Sequence, residues 1–268
     1  MEELGLDSQV ASQWFKPIQN ASILQVAVEG STTVLWPQQL LHAVRRAYIT
    51  DAQIAAGAAK NSVTDLEVIA SKLPDAGSIM AGDFGEILVY IYHASNTTGP
   101  KLVGPKKWRM KQDRRHAAPH SDVVLFSLPH WPHPSSSDVV YCSEVKTKST
   151  VAPSEPIATA IAGAEKDRAS RLAKTLVWLR ERAMTENLGA IDIPRLERFI
   201  NAAQHPPATW RYFAVAVICS SVAQAEMAQL PKSYPAGVLL IVIIVPNLKG
   251  TYTAVFEAVR STSLGTFT

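Results

Sequence analysis

The chain has 268 residues, of which 47% are hydrophobic and 18% are charged, and its formal net charge is +3. This length suffices for one large domain or for a domain with an elaborated end, and the composition is that of a globular protein. The small net charge excludes any argument for a polyanion partner from overall charge alone. The longest apolar run, VLLIVIIV, is too short to cross a bilayer, so we expect a buried strand and no membrane partner.

The N-terminal residues and the cysteines predict a location. The first ten residues, MEELGLDSQV, are acidic and lack the basic-then-apolar pattern of a secretory signal. Cys142 and Cys219 both stand in apolar segments with the composition of strands. Cysteines in such segments are typical of buried core positions, and disulfides are rare in reducing compartments. We therefore expect a cytoplasmic protein with two reduced cysteines.

The first quarter of the chain predicts short strands followed by helices. The segments ASILQVAVEG and STTVLW are typical of short strands. Pro37 suits the first turn of a helix. The apolar side of that helix carries Leu40, Leu41, Val44, Tyr48 and Ile54. Thr64 and Glu67 have the spacing of a capping box, which predicts a second helix that ends at Pro74.

The segment AGSIMAGDFGEILVYIYHASN, residues 76–96, predicts a helix with two distinct sides. One side is an apolar arc: Met80, Phe84, Ile87, Leu88 and Ile91. A second stripe lies about 120° away, and it consists of Ile79, Asp83, Glu86, Tyr90 and His93. Gly82 and Gly85 weaken an isolated helix, so we expect them to allow close approach to a sheet. Glu86 either faces solvent or is directed at a site.

The segment KLVGPKKWRMKQDRRH, residues 101–116, concentrates positive charge: seven basic residues stand against the single acid Asp113. A basic cluster around Trp108 is typical of a contact with the phosphate backbone of nucleic acid. The residues predicted to make this contact are Lys106, Lys107, Arg109, Lys111, Arg114 and Arg115. A solvated strand edge that is kept basic against aggregation would have the same composition. The sequence alone does not separate these two interpretations.

Residues 121–148 predict a β-hairpin, because the arms SDVVLFSL and SDVVYCSEV flank the loop LPHWPHPSSS. If the hairpin is symmetric about His133, Asp122 lies directly opposite Glu144. Side chains alternate along a strand, so Glu144 and Lys146 share one face, about 7 Å apart. The same face is predicted to carry Val124, Phe126, Val140 and Cys142. Carboxylates that oppose each other repel, so we expect a divalent cation to compensate.

The rest of the chain predicts two helices and three strands. The segment EPIATAIAGAEKDRASRLAKTLVWLRERAM predicts one long helix over residues 155–184. Its basic side is more typical of a solvated face than of a DNA contact, and it carries Lys166, Arg168, Arg171, Lys174 and Arg180. The segment IPRLERFINAA predicts a shorter helix. The near-continuous apolar runs TWRYFAVAVICS, GVLLIVIIV and TYTAVFEAV predict strands that are buried on both faces.

Asp122, Glu144 and Lys146 together suit phosphodiester hydrolysis. Carboxylates are ligands for Mg²⁺ or Mn²⁺, and such an ion polarises a phosphate and lowers the pKa of an attacking water. A nearby lysine could orient the water or stabilise the charge that develops on the phosphate. The alternative is structural: Asp122 would begin a strand, while Glu144 and Lys146 would form a solvent-facing pair at a strand end.

Two histidine pairs offer a competing metal site. His116 and His120, and His130 and His133, have spacings that resemble those of zinc ligands. Prolines interrupt both pairs, and no cysteine pair accompanies them. We therefore do not expect structural zinc. His120, close to Asp122, is instead a candidate for contact with phosphate or solvent.

The order helix, strand, strand, strand, helix, strand, with GDFGEIL, PHSDVV and CSEVK, resembles the PD-(D/E)XK nuclease superfamily over about residues 76–220. The resemblance implies an α/β, restriction-endonuclease-like fold with a mixed central sheet flanked by helices. It also implies that Asp122 and Glu144 bind metal, that Lys146 is catalytic, and that Glu86 is an assisting acid and third ligand. One departure is that Pro119 stands three residues before Asp122 instead of adjacent to it.

Along the chain, a helix with Gly-Glu is followed by a basic stretch, then Ser-Asp and then Glu-x-Lys. This arrangement is also similar to the nuclease subunit of the Hachiman anti-phage defence system. It implies a helicase or ATPase partner. We therefore expect an Mg²⁺-dependent endodeoxyribonuclease that acts on DNA. Residues 1–74 would form an N-terminal α/β elaboration of a nuclease core at 75–268, or one compact domain with it. The alternatives are a non-catalytic nucleic-acid- or protein-binding module, and a defence subunit that stays silent until a partner acts.

Overall fold

A mixed β-sheet organises the protein. The computed structural model describes residues 1–19 and 23–263, and within them the sheet has six strands in the order β1-β2-β6-β5-β4-β3. The strands are β1 Lys16–Ile18, β2 Leu24–Ala27, β3 Val123–Ser127, β4 Val139–Lys148, β5 Thr209–Cys219 and β6 Val238–Val245. The four inner strands are parallel, and both outer strands are antiparallel to their neighbours.

Helices flank this sheet, so the predicted α/β fold with a mixed central sheet is confirmed. In the described ranges they are α1 Ser8–Ser12, α2 Gly30–Gln39, α3 Leu41–Tyr48, α4 Asp51–Asn61, α5 Asp65–Lys72, α6 Ser78–Asn96, α7 Pro156–Lys166, α8 Leu172–Ala183, α9 Ile193–Ile200, α10 Ser220–Ala228 and α11 Leu248–Ser261. None of these described helices is long and apolar enough to cross a membrane.

The predicted strands β5 and β6 are confirmed, and most of their residues are buried. Both cysteines are free and buried, as predicted. The capping box at Thr64 and Glu67 is also confirmed, with both reciprocal hydrogen bonds present. The predicted long helix exists as α7 and α8, joined through a π-helical turn at Asp167–Arg171. Helix α6 covers nearly the whole segment that was predicted for it.

Two predicted strands are wrong because they are helices. The segment STTVLW lies in α2, where Thr33 and Trp36 are buried three residues apart and Pro37 lies inside the helix. The segment TYTAVFEAV lies in α11. Its buried residues, Tyr252, Val255, Phe256 and Val259, recur at helical spacing. In both segments, β-branched and aromatic composition concealed a period of 3.6 residues.

The helix that we predicted from Pro37 through Ile54 is also wrong, because its residues are divided among α2, α3 and α4. Ile49 adopts an extended backbone, and Thr50 then caps α4 through a capping box with Gln53. Ala21 and Ser22, at the start of a predicted strand, and residues 264–268 of the predicted core domain lie outside the described residues. The division at residue 74 stays a prediction, although β1 and β2 belong to the same sheet as the other strands.

Helix α6 and helix α7 cover opposite faces of β4. Gly85 of α6 approaches Thr147 and Val145, whereas Gly163 of α7 approaches Glu144. The close approach that we predicted is confirmed for Gly85, where an added Cβ would overlap the Thr147 hydroxyl. It is wrong for Gly82, because a Cβ there would meet no atom within 4 Å. One glycine therefore fixes the distance between α6 and the sheet.

These two glycines provide a matched stability test. We expect Gly85→Ala to lower the free energy of unfolding by about 1–3 kcal/mol, because the methyl group overpacks the contact between helix and sheet. Gly82→Ala in the same helix should instead raise it by up to about 1 kcal/mol through helix propensity alone. Urea unfolding followed by circular dichroism measures both changes. Equal changes in the two variants would contradict the packing described here.

Candidate active site

The hairpin register places two carboxylates opposite each other. Val123 pairs with Ser143 and Phe126 pairs with Val140, so the next position along the ladder sets Asp122 against Glu144. This confirms the predicted register. The predicted apolar residues of the same face, Val124, Phe126, Val140 and Cys142, belong to one buried cluster. The face of the hairpin is therefore apolar along its length and acidic at one end.

Lys146 bridges the opposed carboxylates. Its Nζ atom lies 2.5 Å from Glu144 Oε1 and 3.9 Å from Asp122 Oδ2. Asp122 Oδ2 also accepts a hydrogen bond of 2.8 Å from the backbone N–H of Val145, which holds its carboxylate against β4. The side chain of Lys146 remains 35% exposed, whereas those of Asp122 and Glu144 are 15% and 5% exposed. Lys146 is the member of this trio that solvent reaches most readily.

Arg171, at the end of the π-helical turn, holds the other side of Glu144. Its Nη2 atom donates to Glu144 Oε2 and to the carbonyl of Gly163, and its Nε atom lies 2.6 Å from Asp167 Oδ1. A Cβ at Gly163 would overlap the Glu144 carboxyl group. Turns of π-helix are frequent at functional sites. Helix α7 therefore approaches Glu144 through a glycine, and the π-helical turn presents Arg171.

Glu86 approaches Asp122 through a buried lysine. Lys107 Nζ lies 3.4 Å from Glu86 Oε2 and 3.6 Å from Asp122 Oδ1, and it donates to the Ser121 carbonyl at 3.0 Å. Trp108 Nε1 donates to Glu86 Oε2 at 3.0 Å. Glu86 is only 7% exposed. The structure therefore places Glu86 beside the site, and not in solvent.

Three other residues of the α6 stripe, Asp83, Tyr90 and His93, are buried as well. Asp83 accepts hydrogen bonds from Lys111 at 2.5 Å and from the hydroxyl of Tyr48 at 2.6 Å. The ring of His93 is 2.9 Å from the hydroxyl of Ser143 through Nε2. Burial lowers the pKa of His93 to about 3, so this imidazole is neutral. The stripe therefore faces the interior from Asp83 to His93, whereas Ile79 at its start is only partly buried.

The basic segment does not form the exposed face that we predicted. Lys106 Nζ lies 2.7 Å from Glu3 Oε2, and Arg109 Nη1 lies 2.5 Å from Glu3 Oε1. Lys111 pairs with Asp83 while its side chain is 4% exposed. The backbone is also not a strand edge: it forms a short 3-10 turn at Lys107–Met110. Both interpretations of the sequence were wrong about surface exposure.

The physical reason is that acids on other elements, Glu3, Asp83 and Glu86, pair with these cations. Lys106, Lys107, Arg109 and Lys111 are held in these ion pairs and are largely buried. Arg114 and Arg115 do remain on the surface, paired with Asp75 and Asp113. Nucleic-acid binding by all six residues stays a prediction.

Burial and mutual repulsion shift the acids of the site. Burial and the Asp122 carboxylate raise the pKa of Glu86 to about 8, against the opposing charge of Lys107. Burial and Asp122 also raise the pKa of Glu144. Although burial opposes it, the carboxylates of Asp122 and Glu144 raise the pKa of Lys146, so its ammonium group is charged at neutral pH. Burial is therefore the largest cause of the raised pKa of Glu86 and Glu144, and the neighbouring Asp122 carboxylate adds to it.

Asp122 and Glu144 form a donor set of two carboxylates. Within residues 1–19 and 23–263, no group of three or more His, Cys, Asp or Glu side chains is arranged to hold a metal ion. Mg²⁺ is commonly bound by one or two carboxylates together with water and substrate phosphate. The pair of carboxylates is therefore a donor set of the kind that such an ion takes. Glu86 as a metal ligand stays a prediction.

Sequence reasoning missed Lys107, Asp167 and Arg171 as parts of the site. Lys107 was assigned to a surface, and Arg171 to a solvated helix face. A signal was present in the helix: Gly163, Asp167 and Arg171 recur every four residues, which places a glycine and two charges on one side. For Lys107, the only signal in the sequence was the adjacent Trp108.

This sheet, with a lysine between two opposed carboxylates, is consistent with a nuclease-like fold. A model of the HamA family matches residues 34–259. The match covers most of the chain, so the protein belongs to the HamA family. It confirms the similarity to the nuclease subunit of the Hachiman anti-phage defence system, and it indicates a role in such defence. A comparison with curated protein sequences finds no significant match.

The raised pKa of Glu86 predicts a pH dependence of stability. Between about pH 5 and pH 8, folded Glu86 holds a proton that the unfolded chain has released. Rising pH should therefore lower the free energy of unfolding, by at most about 1.4 kcal/mol per pH unit from this group. Glu86→Gln should remove that contribution. Exposed Glu257 provides the control, because Glu257→Gln should leave the wild-type slope unchanged.

Urea unfolding at a series of pH values between 5 and 8 measures these slopes. The difference between wild type and Glu86→Gln isolates the one carboxyl group from every other titrating residue. Parallel curves for the two proteins would show that Glu86 is ionised throughout this range.

Proposed function

We propose that this protein is a metal-dependent nuclease that hydrolyses phosphodiester bonds of DNA in anti-phage defence. The observation that carries the proposal is Lys146, which reaches Glu144 and Asp122 at 2.5 and 3.9 Å while its side chain remains 35% exposed. A charged ammonium group that solvent can reach, above two nearly buried carboxylates, suits a phosphate substrate. Membership of the HamA family supports the defence role.

Asp122 and Glu144 would hold the ion, Mg²⁺ or Mn²⁺. When bound, such an ion polarises the scissile phosphate and makes a water molecule more acidic. Lys146 would donate to a phosphate oxygen and stabilise the negative charge that develops there. Because the flanking carboxylates raise its pKa, Lys146 acts here as a cation and not as a general base.

Arg171 would be a positioning residue. It donates to Glu144 and to the carbonyl of Gly163, while Asp167 fixes its guanidinium group. A carboxylate held in this way loses little rotational freedom when it binds a metal ion. Groups that hydrogen-bond to metal-binding side chains usually contribute in this way. Lys107 has the corresponding place behind Asp122.

Glu144 also supports a second candidate, a subunit that stays silent until a partner acts. Both of its carboxylate oxygens are engaged by basic side chains, Oε1 by Lys146 and Oε2 by Arg171. A carboxylate that is paired in this way is stable without a metal ion, so a partner protein would have to rearrange the site before cleavage. A helicase partner, proposed from the family, would suit that role.

Nicking of supercoiled plasmid with Mg²⁺ or with EDTA tests the proposal. We expect the wild type to nick DNA only with Mg²⁺, and Lys146→Ala to be at least about 100-fold slower, as when a group that stabilises charge in the transition state is removed. Asp122→Asn and Glu144→Gln should also abolish nicking. Lys60, an exposed lysine on α4, provides the control Lys60→Ala.

The silent-subunit candidate needs a second arm with the reconstituted defence complex. Activity that appears only in the complex, and is lost in Lys146→Ala, would support partner control. Full activity of Lys146→Ala, alone or in the complex, would contradict the assignment of this site.

A further inference from the structure

A cleft of about 400 Å³ opens between loop 110–120 and helix α8. Its walls include two aromatic rings, His120 and Trp178, and the guanidinium group of Arg182. His120 stands only two residues before Asp122 in the chain. The roles proposed above for the carboxylates and Lys146 make no use of this cleft.

One row of side chains on the helix connects the cleft to the carboxylates. Arg171 contacts Glu144, and Thr175 Oγ1 accepts a hydrogen bond of 3.2 Å from the backbone N–H of Ser121. Trp178 then follows, with Arg182 one turn further on. A helix rises 1.5 Å per residue, so Trp178 lies about 10 Å along the axis from Arg171. The aromatic cleft is therefore next to the proposed site of cleavage.

His120 combines an unusual backbone conformation with a contact between its ring and Trp178. His120 has φ of 70°, in the left-handed region that few residues other than glycine adopt. Its ring centroid lies 5.2 Å from that of Trp178, with an angle of 46° between the planes. An unfavourable backbone conformation that persists is a reason to look for a function of the residue that adopts it. Here its consequence is a pair of aromatic rings at the wall of a cleft.

The charges around this pair suit a polyanion with stacked bases. The guanidinium carbon of Arg182 lies 5.7 Å from the centroid of the Trp178 ring. The acid at the rim, Asp113, is paired with Arg115. The cleft therefore combines the aromatic rings of His120 and Trp178 with the guanidinium group of Arg182.

We propose that Trp178 and His120 form a stacking platform for an unpaired nucleobase, next to the phosphate that the carboxylates and Lys146 act on. Proteins bind single strands by stacking bases on aromatic side chains within a basic groove. Bases inside a duplex are stacked on one another and do not offer a free face. The inference rests on the proposed nuclease function and narrows its substrate to DNA with unpaired bases: a single strand, the splayed end of a duplex or a locally unpaired segment of supercoiled plasmid.

Binding without metal tests the platform separately from cleavage. Fluorescence anisotropy with the full chain in EDTA would compare a labelled single-stranded 12-mer with its blunt duplex. A set of 12-mers, each with one base replaced by an abasic site, would locate a stacked base. The variants are Trp178→Ala and the aromatic Trp178→Phe. Trp131 provides a matched control, since Arg195 lies 4.9 Å from its ring and it lies outside the cleft.

We expect Trp178→Ala to weaken single-strand binding about tenfold or more, the usual effect of removing a stacking residue. Trp178→Phe should retain most of the affinity, and Trp131→Ala all of it. The abasic set should show one sensitive position with the wild type and none with Trp178→Ala. Trp178 also packs against an apolar cluster, so thermal unfolding of each variant is recorded. The binding of the abasic 12-mers to the wild-type protein does not depend on whether any variant folds.

Three results would overturn the proposal: no binding of single strands, equal binding of the blunt duplex, or an abasic set without a sensitive position. The plasmid-nicking test is independent of these results. A chain that binds single strands through Trp178 but never cleaves would retain the platform and lose the nuclease function. A chain that cleaves with no effect of Trp178 or abasic sites would retain the function and lose the platform.

Discussion

The register of one antiparallel strand pair sets two carboxylates, Asp122 and Glu144, against each other at the end of an apolar face. Opposed like charges destabilise a sheet, and burial increases the cost of each. Lys146 compensates from within the hairpin. Lys107 and Arg171 compensate from a loop and a helix. The placement of helix α6, of the loop after it and of the π-helical turn follows from this one electrostatic constraint.

Helix α6 contributes a further acid, Glu86, which shares Lys107 with Asp122. The loop after α6 turns inward because its cations pair with carboxylates of other elements, and Lys106, Lys107, Arg109 and Lys111 are consequently largely buried. On the other side of the sheet, Gly163 lets the helix approach Glu144, and a π-helical turn presents Arg171. Packing and charge therefore act on the same few residues, and the site is assembled from both faces of the sheet.

The sequence predicted the hairpin, its register and the trio of Asp122, Glu144 and Lys146. The Pro-rich loop marks where the two arms end, and alternation along each arm is a local property that assigns side chains to a face. It did not predict α2 and α11, because their β-branched and aromatic residues are typical of strands. In α11 the residue types favour a strand, and only the spacing of Tyr252 and Phe256 indicates a helix. The burial of Lys107 and the pairing of Arg171 with Glu144 could not be predicted locally. Each depends on a carboxylate distant in sequence that meets the cation in the folded chain.

The central claim is that Asp122 and Glu144 form a binding site for a divalent cation, and calorimetric titration of the metal-free protein with Mn²⁺ tests it most directly. We predict one ion per chain for the wild type, and none in this site for Asp122→Asn or Glu144→Gln, while Glu257→Gln binds as the wild type does. Neutral amides of the same size preserve the shape of the site and remove its charge. Unchanged Mn²⁺ binding in both site variants, or no binding by the wild type, would contradict the account.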